Sequence, residues 1–436
     1  MRVIVLSLNR CRLDYLGPYG AELAVTPHLN RLAAEGVVFD QHFVDQLGNA
    51  PMRRSWHGGS YIPVHPAEGL ANRLWDAGVA TVLVGNERSP SRGRRFAQGW
   101  ERAVWLRKER LEAMNQPTLT DGTLQTALDW IETHGEKDNW LVWVEIDALR
   151  PPWDPKEFAQ EPGAEGTHEA HDEGTALEPE EEGDDAEAMK DDSEQMAPTP
   201  EFDLPNLWLA DENCPPCGDV SRWQLAYSGV MTYLDDLLGQ FMNLLTELKL
   251  MDDTYLVVTS DGGLPMGEHE QVGEVFPWLH EEATHIPLIL RLPHAAQRGR
   301  RVQQLTQPVD LPVTIAELFG VPFMEPTHGS SLLLAAKGQP VRREYICSRG
   351  RKGDMEEWSI RTHQWHFLLP SPAGEYRGPQ LYVKPEDRWE LNNVLEQLPD
   401  VADHLELTLR RYMARCWHYP AAEPPPLRRE LLQVTQ

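Results

Sequence analysis

Short runs of consecutive apolar residues recur along the chain and alternate with segments whose apolar residues repeat every three or four positions. A continuous apolar run of this length is typical of a strand that a parallel sheet buries on both faces. Such runs are RVIVLSLN, TVLVGN, WLVWVEID, YLVVTSDGG and IPLILRLP. The helical segments between them include TPHLNRLAAEG, TLQTALDWIETHG and the long stretch 223–250. Strands that alternate with helices predict an α/β fold with a doubly wound, mostly parallel sheet.

The pattern changes near residue 340. Beyond that point the segments are shorter, and they are WSIRTHQWHFLL, PQLYVKPEDRWELNNV and a final helical stretch around DHLELTLRRYMARC. The chain has 436 residues, which is long enough for one large domain with an appendage. We therefore expect an α/β domain over residues 1–339 and a smaller α+β subdomain over 340–436.

One segment carries more than half of the excess negative charge. The formal net charge is -28, and sixteen acidic residues lie between Glu157 and Glu194 against the single basic residue Lys190. With few apolar residues among these acids, the insertion at about 157–203 cannot bury enough surface to fold, so we expect a solvated, disordered loop. A docking segment for a protein partner is the alternative. The acidic balance argues against nucleic-acid binding.

Cysteine content and apolar run length indicate the cellular setting. The chain has five cysteines, and the only close pair, Cys214 and Cys217 in CPPC, lacks the second ligand pair that a zinc site needs. We interpret this pair as incidental.

No apolar run approaches the roughly 20 residues of a membrane span, and the opening segment does not resemble a secretory signal. The expected location is the cytoplasm.

Polar residues follow several of the predicted strands. They are Asn9, the segment 85–88, the segment 147–150 and the segment 261–263. Because ligands bind at the carboxyl ends of the strands in an open α/β sheet, these positions are expected to form one candidate site.

The order of the segments resembles the sulfatase family of the alkaline phosphatase superfamily. The segments that carry the resemblance are LSLNRCRLDYLGPYG, TPHLNRLAAEGVVF, NAPMRRSWHGG, LWDAGVATVLVG, TSDGGLPMGEHE, EEATHIPLILRLP, VDLPVTIAELFGV and LYVKPEDRWELNNV. The resemblance implies the sulfatase fold and hydrolysis of sulfate esters. In that family a cysteine in C-x-P-x-R is converted to formylglycine, whose hydrate attacks sulfur while a calcium ion polarises it.

The family's nucleophile position is substituted in this chain. Pro51, Arg53 and Gly59 match the motif, but Asn49 stands in the place of its cysteine. An amide is neither a thiol that can be oxidised nor a nucleophile. Cys11 is an imaginable substitute, but no base is evident beside it. We expect no attacking group at this site.

The family's cation ligands are also changed. Asn9 and Arg10 stand where the resemblance implies carboxylates after the first strand, and Asp261 and Gly262 stand at the second ligand position. Calcium takes six to eight oxygen ligands, several of them charged, and Arg10 introduces a positive charge. We therefore expect Asn9 and Asp261 to be remnants of the metal site, with calcium bound only if the family site survives.

The positions that bind sulfate in the family have gained arginines. By the resemblance, Asn86 and Arg88 replace a Lys and a His, Arg150 replaces a His, and a later Lys falls loosely near Glu274. A guanidinium can hold sulfate or phosphate through paired hydrogen bonds without a metal. One interpretation is an anion-binding pocket formed by Arg10, Arg53, Arg88 and Arg150. The other is that these arginines pair with Asp261, Asp14 or further acids inside a defunct cleft.

Three functions are compatible with these observations. We favour a non-catalytic sulfatase homologue, a pseudoenzyme, that binds a sulfate-bearing or phosphate-bearing ligand or a partner. An active hydrolase of sulfate or phosphate esters with a rearranged site is the main alternative. A structural role through the acidic insertion is the third. His269 and His285 lie near the family's site segments, and we interpret both as structural residues.

Overall fold

The computed structural model describes residues 1–62, 69–92, 94–151, 153–154, 156, 217–273, 277–323, 327–339, 343–371 and 377–431. The acidic insertion, Cys214 and Glu274 lie outside the described residues. Cys217 begins a long helix.

An eight-stranded sheet forms the centre of the protein. Its strands are β1 (Arg2–Leu8), β2 (Val37–Phe39), β3 (Ala80–Asn86), β4 (Arg102–Leu106), β5 (Trp140–Ile146), β6 (Thr254–Thr259), β7 (Leu288–Arg291) and β8 (Arg300–Val302). Their order across the sheet is β4-β3-β5-β1-β6-β7-β2-β8. All neighbouring strands are parallel except at β7, which runs antiparallel to both β6 and β2. The α/β fold with a mostly parallel sheet is confirmed.

Helices cover both faces of this sheet. They are α1 (Pro27–Glu35), α2 (Asn49–Gly58), α3 (Leu70–Asp76), α4 (Arg94–Ala97), α5 (Leu111–Met114), α6 (Leu119–His134), α7 (Cys217–Glu247), α8 (Glu281–Thr284), α9 (Asp310–Leu318) and α10 (Leu333–Ala336). Side chains of a strand alternate between its faces. In β1, Ile4 and Leu6 therefore join the core beside α6 and α7, whereas Val3 and Val5 join the core beside α2 and α3. Burial on both faces explains why the strand sequences are continuously apolar.

A second, antiparallel sheet follows near the carboxyl terminus. It consists of β9 (Ile346–Lys352), β10 (Met355–Arg361), β11 (Trp365–Pro370) and β12 (Gln380–Val383), in the order β12-β11-β10-β9, and helix α11 (Pro399–Ala414) packs against it. Main-chain hydrogen bonds join β9 to the segment that precedes α2, because Leu47 N donates to Arg349 O and Arg349 N donates to Asp45 O, each at 2.9 Å. The smaller carboxyl-terminal α+β region is present, and the boundary at 339/340 stays a prediction.

Within the described residues, no helix is both long enough and apolar enough to cross a membrane.

Candidate functional site

The candidate site lies where three central strands end. Strand β1 pairs with β5 on one side and with β6 on the other, so the residues that follow these strands are neighbours. Asn9 follows β1, Asp147 follows β5 and Asp261 follows β6, and all three are buried. Asn9 Nδ2 donates a hydrogen bond to Asp147 Oδ1 at 2.9 Å.

Helix α2 brings the substituted nucleophile position to this edge. The residue before the helix, Gly48, has a φ of 114°, a backbone conformation that favours glycine. Asn49 is the first helical residue, and its Oδ1 accepts a hydrogen bond from Arg10 Nη2 at 3.0 Å. The side chain at the nucleophile position therefore faces the cation-ligand residues and is held there as an acceptor.

Arg10 connects Asn49 to Asp261. Its backbone has a φ of 63°, and its N–H donates to Asp261 Oδ1 at 2.9 Å. Arg10 Nη1 lies 3.7 Å from the same carboxylate oxygen, and the residue is only 2 % exposed. Tyr227 fixes the main chain further, because its hydroxyl donates to Arg10 O at 2.8 Å. The guanidinium is thus an internal cation beside Asp261.

Arg53, one turn into α2, is fully buried. Its three guanidinium nitrogens all donate to protein acceptors: Nε to Glu145 Oε1 at 2.9 Å, Nη1 to Asp261 Oδ2 at 2.6 Å, and Nη2 to Asn9 Oδ1 at 3.0 Å. Charge-assisted hydrogen bonds of this kind are roughly twice as strong as neutral ones. Arg53 therefore joins α2 to all three strand ends.

The guanidinium groups of Arg10 and Arg53 influence the pKa values of the neighbouring carboxylates. Burial alone raises the pKa of Asp261, but Arg10 and Arg53 together hold that pKa below its usual range. For Glu145, burial raises the pKa, against the opposing effect of Arg53. Hydroxyl groups of the segment after β3 also stabilise the acids, since Ser91 Oγ donates to Glu145 Oε1 and Ser89 Oγ donates to Asp147 Oδ2, both at 2.6 Å.

Arg88 and Arg150 form a second pair at the margin of this cluster. Arg88 Nη2 donates to the main-chain carbonyl of Arg150, and Arg88 N donates to Asn86 Oδ1 at 2.9 Å. Arg150 N in turn donates to Asp147 O at 3.2 Å. Both arginine side chains are half-buried, unlike Arg10 and Arg53.

The structure separates the four arginines that the sequence grouped into one anion pocket. Arg10 and Arg53 are buried and pair with Asp261, which is the arrangement that the second interpretation describes, and the anion-binding pocket stays a prediction. Asp14 plays no part in this cluster, because it binds Arg12 at 2.6 Å. The guanidinium of Arg53 is fully buried and has a protein acceptor on every nitrogen, so it presents no surface to a ligand.

A divalent cation does not fit the residues at this site. The two oxygens of Asp261 receive hydrogen bonds from Arg53 and from the backbone of Arg10, and the oxygens of Asn9 and Asn49 also accept from these arginines. Calcium would have to approach two guanidinium groups and take over their acceptors, which like-charge repulsion opposes. Asn9 and Asp261 therefore serve as acceptors for internal cations.

Three further residues considered in the sequence analysis, Cys11, His269 and His285, are buried or hydrogen-bonded to other residues of the protein. Cys11 is buried, burial raises the pKa of its thiol, and its Sγ lies 3.7 Å from Arg12 O. His269 and His285 are hydrogen-bonded to Glu282 and Glu281 respectively.

Sequence reasoning missed Glu145, which completes the carboxylate set around Arg53. The signal available was a single acidic residue inside the otherwise apolar strand WLVWVEI. A charge in a strand buried on both faces requires a buried partner of opposite sign.

The sheet, the antiparallel carboxyl-terminal sheet and the position of the site define a hydrolase-like fold of the alkaline phosphatase superfamily. The sequence model of the sulfatase family matches residues 2–321, and the chain belongs to the sulfatase family.

Curated relatives share part of this chain. An N-acetylgalactosamine-6-O-sulfatase of Bacteroides thetaiotaomicron is 30% identical over 216 residues, which cover 43% of this chain and 41% of the relative. Arylsulfatase K of Bos taurus is 27% identical over 202 residues, which cover 44% of this chain and 37% of the relative. The matches thus span about two fifths of the length of these relatives.

Solved structures match nearly the whole chain. A protein in complex with its substrate D-glucosamine-2-N,6-O-disulfate superimposes with a TM-score of 0.73 at 16% identity, and the match covers 97% of this chain and 99% of that one. A phosphonate monoester hydrolase of Agrobacterium radiobacter gives a TM-score of 0.69 at 19% identity and covers 96% of each chain. At these identities the likeness establishes the fold.

Proposed function

We propose that this member of the sulfatase family does not hydrolyse esters and acts as a binding module. One observation carries the proposal: the side chain at the nucleophile position is the amide of Asn49, and it is held by Arg10, a cation built into the chain.

Both requirements for the family's chemistry are unmet at this site. Ester hydrolysis by this route needs an attacking oxygen and a preorganised positive charge at the oxygens of the substrate. Asn49 offers no attacking oxygen. The positive charges of Arg10 and Arg53 are neutralised by Asp261 and Glu145, and they lie below the surface.

The ligand proposed for this module bears a sulfate or phosphate group, as suits the family. Arg88 and Arg150 are the two predicted anion-binding arginines that remain half-exposed, and they lie at the margin of the buried cluster. Their guanidinium groups have the planar donor geometry that sulfate and phosphate accept. A protein partner for the acidic insertion remains a separate proposal.

Turnover measurements test the loss of catalysis. We would assay the purified chain with aryl sulfates and aryl phosphates, with and without added calcium, beside Asn49→Ala and Arg53→Lys variants purified identically. The expected result is the same background rate in all three preparations, because contaminating hydrolases do not depend on these residues. Wild-type turnover that disappears in either variant would support the alternative, an active hydrolase with a rearranged site.

A further inference from the structure

A cavity of about 350 Å³ lies between the central sheet and the carboxyl-terminal sheet. Asp40 borders it from the end of β2, Arg301 borders it from the edge strand β8, and Glu281 borders it from α8. Arg361 at the end of β10, and Lys384 and Arg388 after β12, contribute the opposite wall. We call this space the basic cavity. None of its lining residues belongs to the cluster around Asp261.

The charge of the basic cavity is opposite to that of the whole protein. Four cationic side chains and two carboxylates line the cavity, and the buried carboxylate of Glu390 contacts Lys384 and Arg361 from behind the wall, which leaves an excess of one positive charge in a chain whose net charge is -28. Arg301 forms an ion pair with Asp40, and Lys384 Nζ lies 3.1 Å from Glu281 Oε2. Arg361 shares Glu281 and Glu390 with Lys384, and Arg388, which is exposed, adds the excess positive charge to the wall. Such a concave surface attracts anions.

Arg361 is placed for recognition of an anion. The residue is 6 % exposed, and its guanidinium stacks over the ring of Phe43 at 4.0 Å. Nη1 lies 2.6 Å from Glu281 Oε2, whereas the buried Nε makes no hydrogen bond to any described residue. A buried donor without an acceptor costs free energy, which an incoming oxyanion would recover.

The neighbouring His285 also lines the cavity, and contacts on both of its ring nitrogens hold the ring in place. Its Nδ1 faces Glu281 Oε1 at 2.6 Å, and its Nε2 faces Asp40 O at 2.9 Å. The same ring stacks on Phe43, with centroids 4.2 Å apart, so Phe43 contacts both His285 and Arg361.

From this geometry we infer that the basic cavity is a second ligand site, which binds a sulfate or phosphate group either free or carried by a small molecule. Pockets of 300 Å³ or more suit small ligands. The exposed Arg388 lies at the rim and Arg361 forms the buried wall, so an oxyanion between them would receive charge-assisted hydrogen bonds from both.

Calorimetric titration with inorganic sulfate and with inorganic phosphate tests this site in the full chain, with sodium chloride as the ionic-strength control. Arg388→Glu is the main variant, because its exposed side chain can be changed without disturbing the core. We expect saturable binding to the wild type and a loss of at least about tenfold in affinity, as for one charge-assisted hydrogen bond. Arg361→Gln should weaken binding at least as much.

Two matched controls make the outcome decisive. Arg410→Glu makes the same charge change on α11 outside the cavity, where the side chain is 57 % exposed, and it should leave the affinity unchanged. Arg88→Gln combined with Arg150→Gln removes the anion contacts of the proposed function and should also leave this binding intact. No saturable binding, or binding lost in the double variant but retained in Arg388→Glu, would overturn the inference. In the second case the ligand belongs to the proposed module site.

A sugar sulfate and a sugar phosphate then distinguish the source of the anion. If the group is carried by a small molecule, the sugar esters should bind more tightly than the inorganic ions, and Arg388→Glu should weaken both. If the free ion is the ligand, the sugar esters should bind no better. Sugar-ester binding that is unaffected by Arg388→Glu would count against the basic cavity.

Discussion

Replacing Arg10 with aspartate should convert the internal cation site into a calcium site. In the wild type, two guanidinium groups (Arg10 and Arg53) lie among three carboxylates (Glu145, Asp147 and Asp261), an excess of one negative charge. The substitution leaves one guanidinium among four carboxylates, an excess of three. Without a metal, loss of the buried partner of Asp261 should lower the free energy of unfolding by about 3–5 kcal/mol.

Calcium should recover much of that loss. The introduced carboxylate and Asp261 can each offer two oxygens, and Asn9 and Asn49 one each. These six oxygens reach the lower limit of calcium coordination when Arg53 gives up Asp261 Oδ2 and Asn9 Oδ1 to the ion. Calcium at a hundredfold excess over its dissociation constant stabilises a folded protein by about 2.7 kcal/mol. This gain is a large share of the expected deficit, although Arg53 stays nearby and will limit the affinity.

Thermal unfolding with EDTA and with millimolar calcium measures this effect. The wild type should unfold at the same temperature in both buffers, and Arg10→Asp should unfold at a clearly higher temperature with calcium. Arg10→Ala is the matched control, because it removes the cation without adding ligand oxygens, and it should respond less. A calcium-independent Arg10→Asp variant, or an equal response of Arg10→Ala, would refute the assignment of Arg10 to the cation position.

Two further predictions concern stability. Burial raises the pKa of Glu357 to about 8, and its Oε2 accepts from Leu279 N at 2.6 Å. Because the folded chain keeps a proton that the unfolded chain releases, the stability that Glu357 contributes at low pH should fall between about pH 5 and 8, by up to about 1.4 kcal/mol per pH unit. Glu357→Gln should flatten this decline in urea unfolding measured across that range, and equal slopes would contradict the reasoning. In α11, Leu405→Ala should cost about 2–5 kcal/mol because Leu405 is buried, whereas Leu407→Ala, at an exposed position of the same helix, should change the free energy of unfolding by about 0.5 kcal/mol or less. Comparable losses in the same urea experiment would show that the carboxyl-terminal core is not packed as described.

The sequence predicts the sheet better than it predicts the direction of each strand. Continuous apolar runs identified β1, β3, β5 and β6, because burial on both faces leaves no polar positions. Strand β7 has the same character and yet runs antiparallel, since a short apolar run contains no information on direction.

At the candidate site, residue types were predictable and their partners were not. The resemblance to three sulfatase segments identified Asn49, Arg10 and Asp261 as residues of the site. Whether an arginine turns toward solvent or toward a buried acid depends on contacts between residues far apart in the chain. Arg53 is 92 positions from Glu145 and 208 from Asp261. The sequence alone does not show which residues surround an arginine in the folded protein. It therefore cannot distinguish an arginine that binds an anion from one that pairs with a buried carboxylate.

The guanidinium of Arg10 determines how the charge of this site responds to the calcium concentration around the protein. A bound calcium ion exchanges with the solution, so the charge of an ordinary metal site follows the free concentration of the ion. Here the positive charge beside Asp261 is part of the polypeptide and is present as soon as the chain is synthesised. It cannot dissociate, and it needs no loading step. The strand ends of this protein should therefore keep the same electrostatic composition in calcium-poor and calcium-rich environments alike.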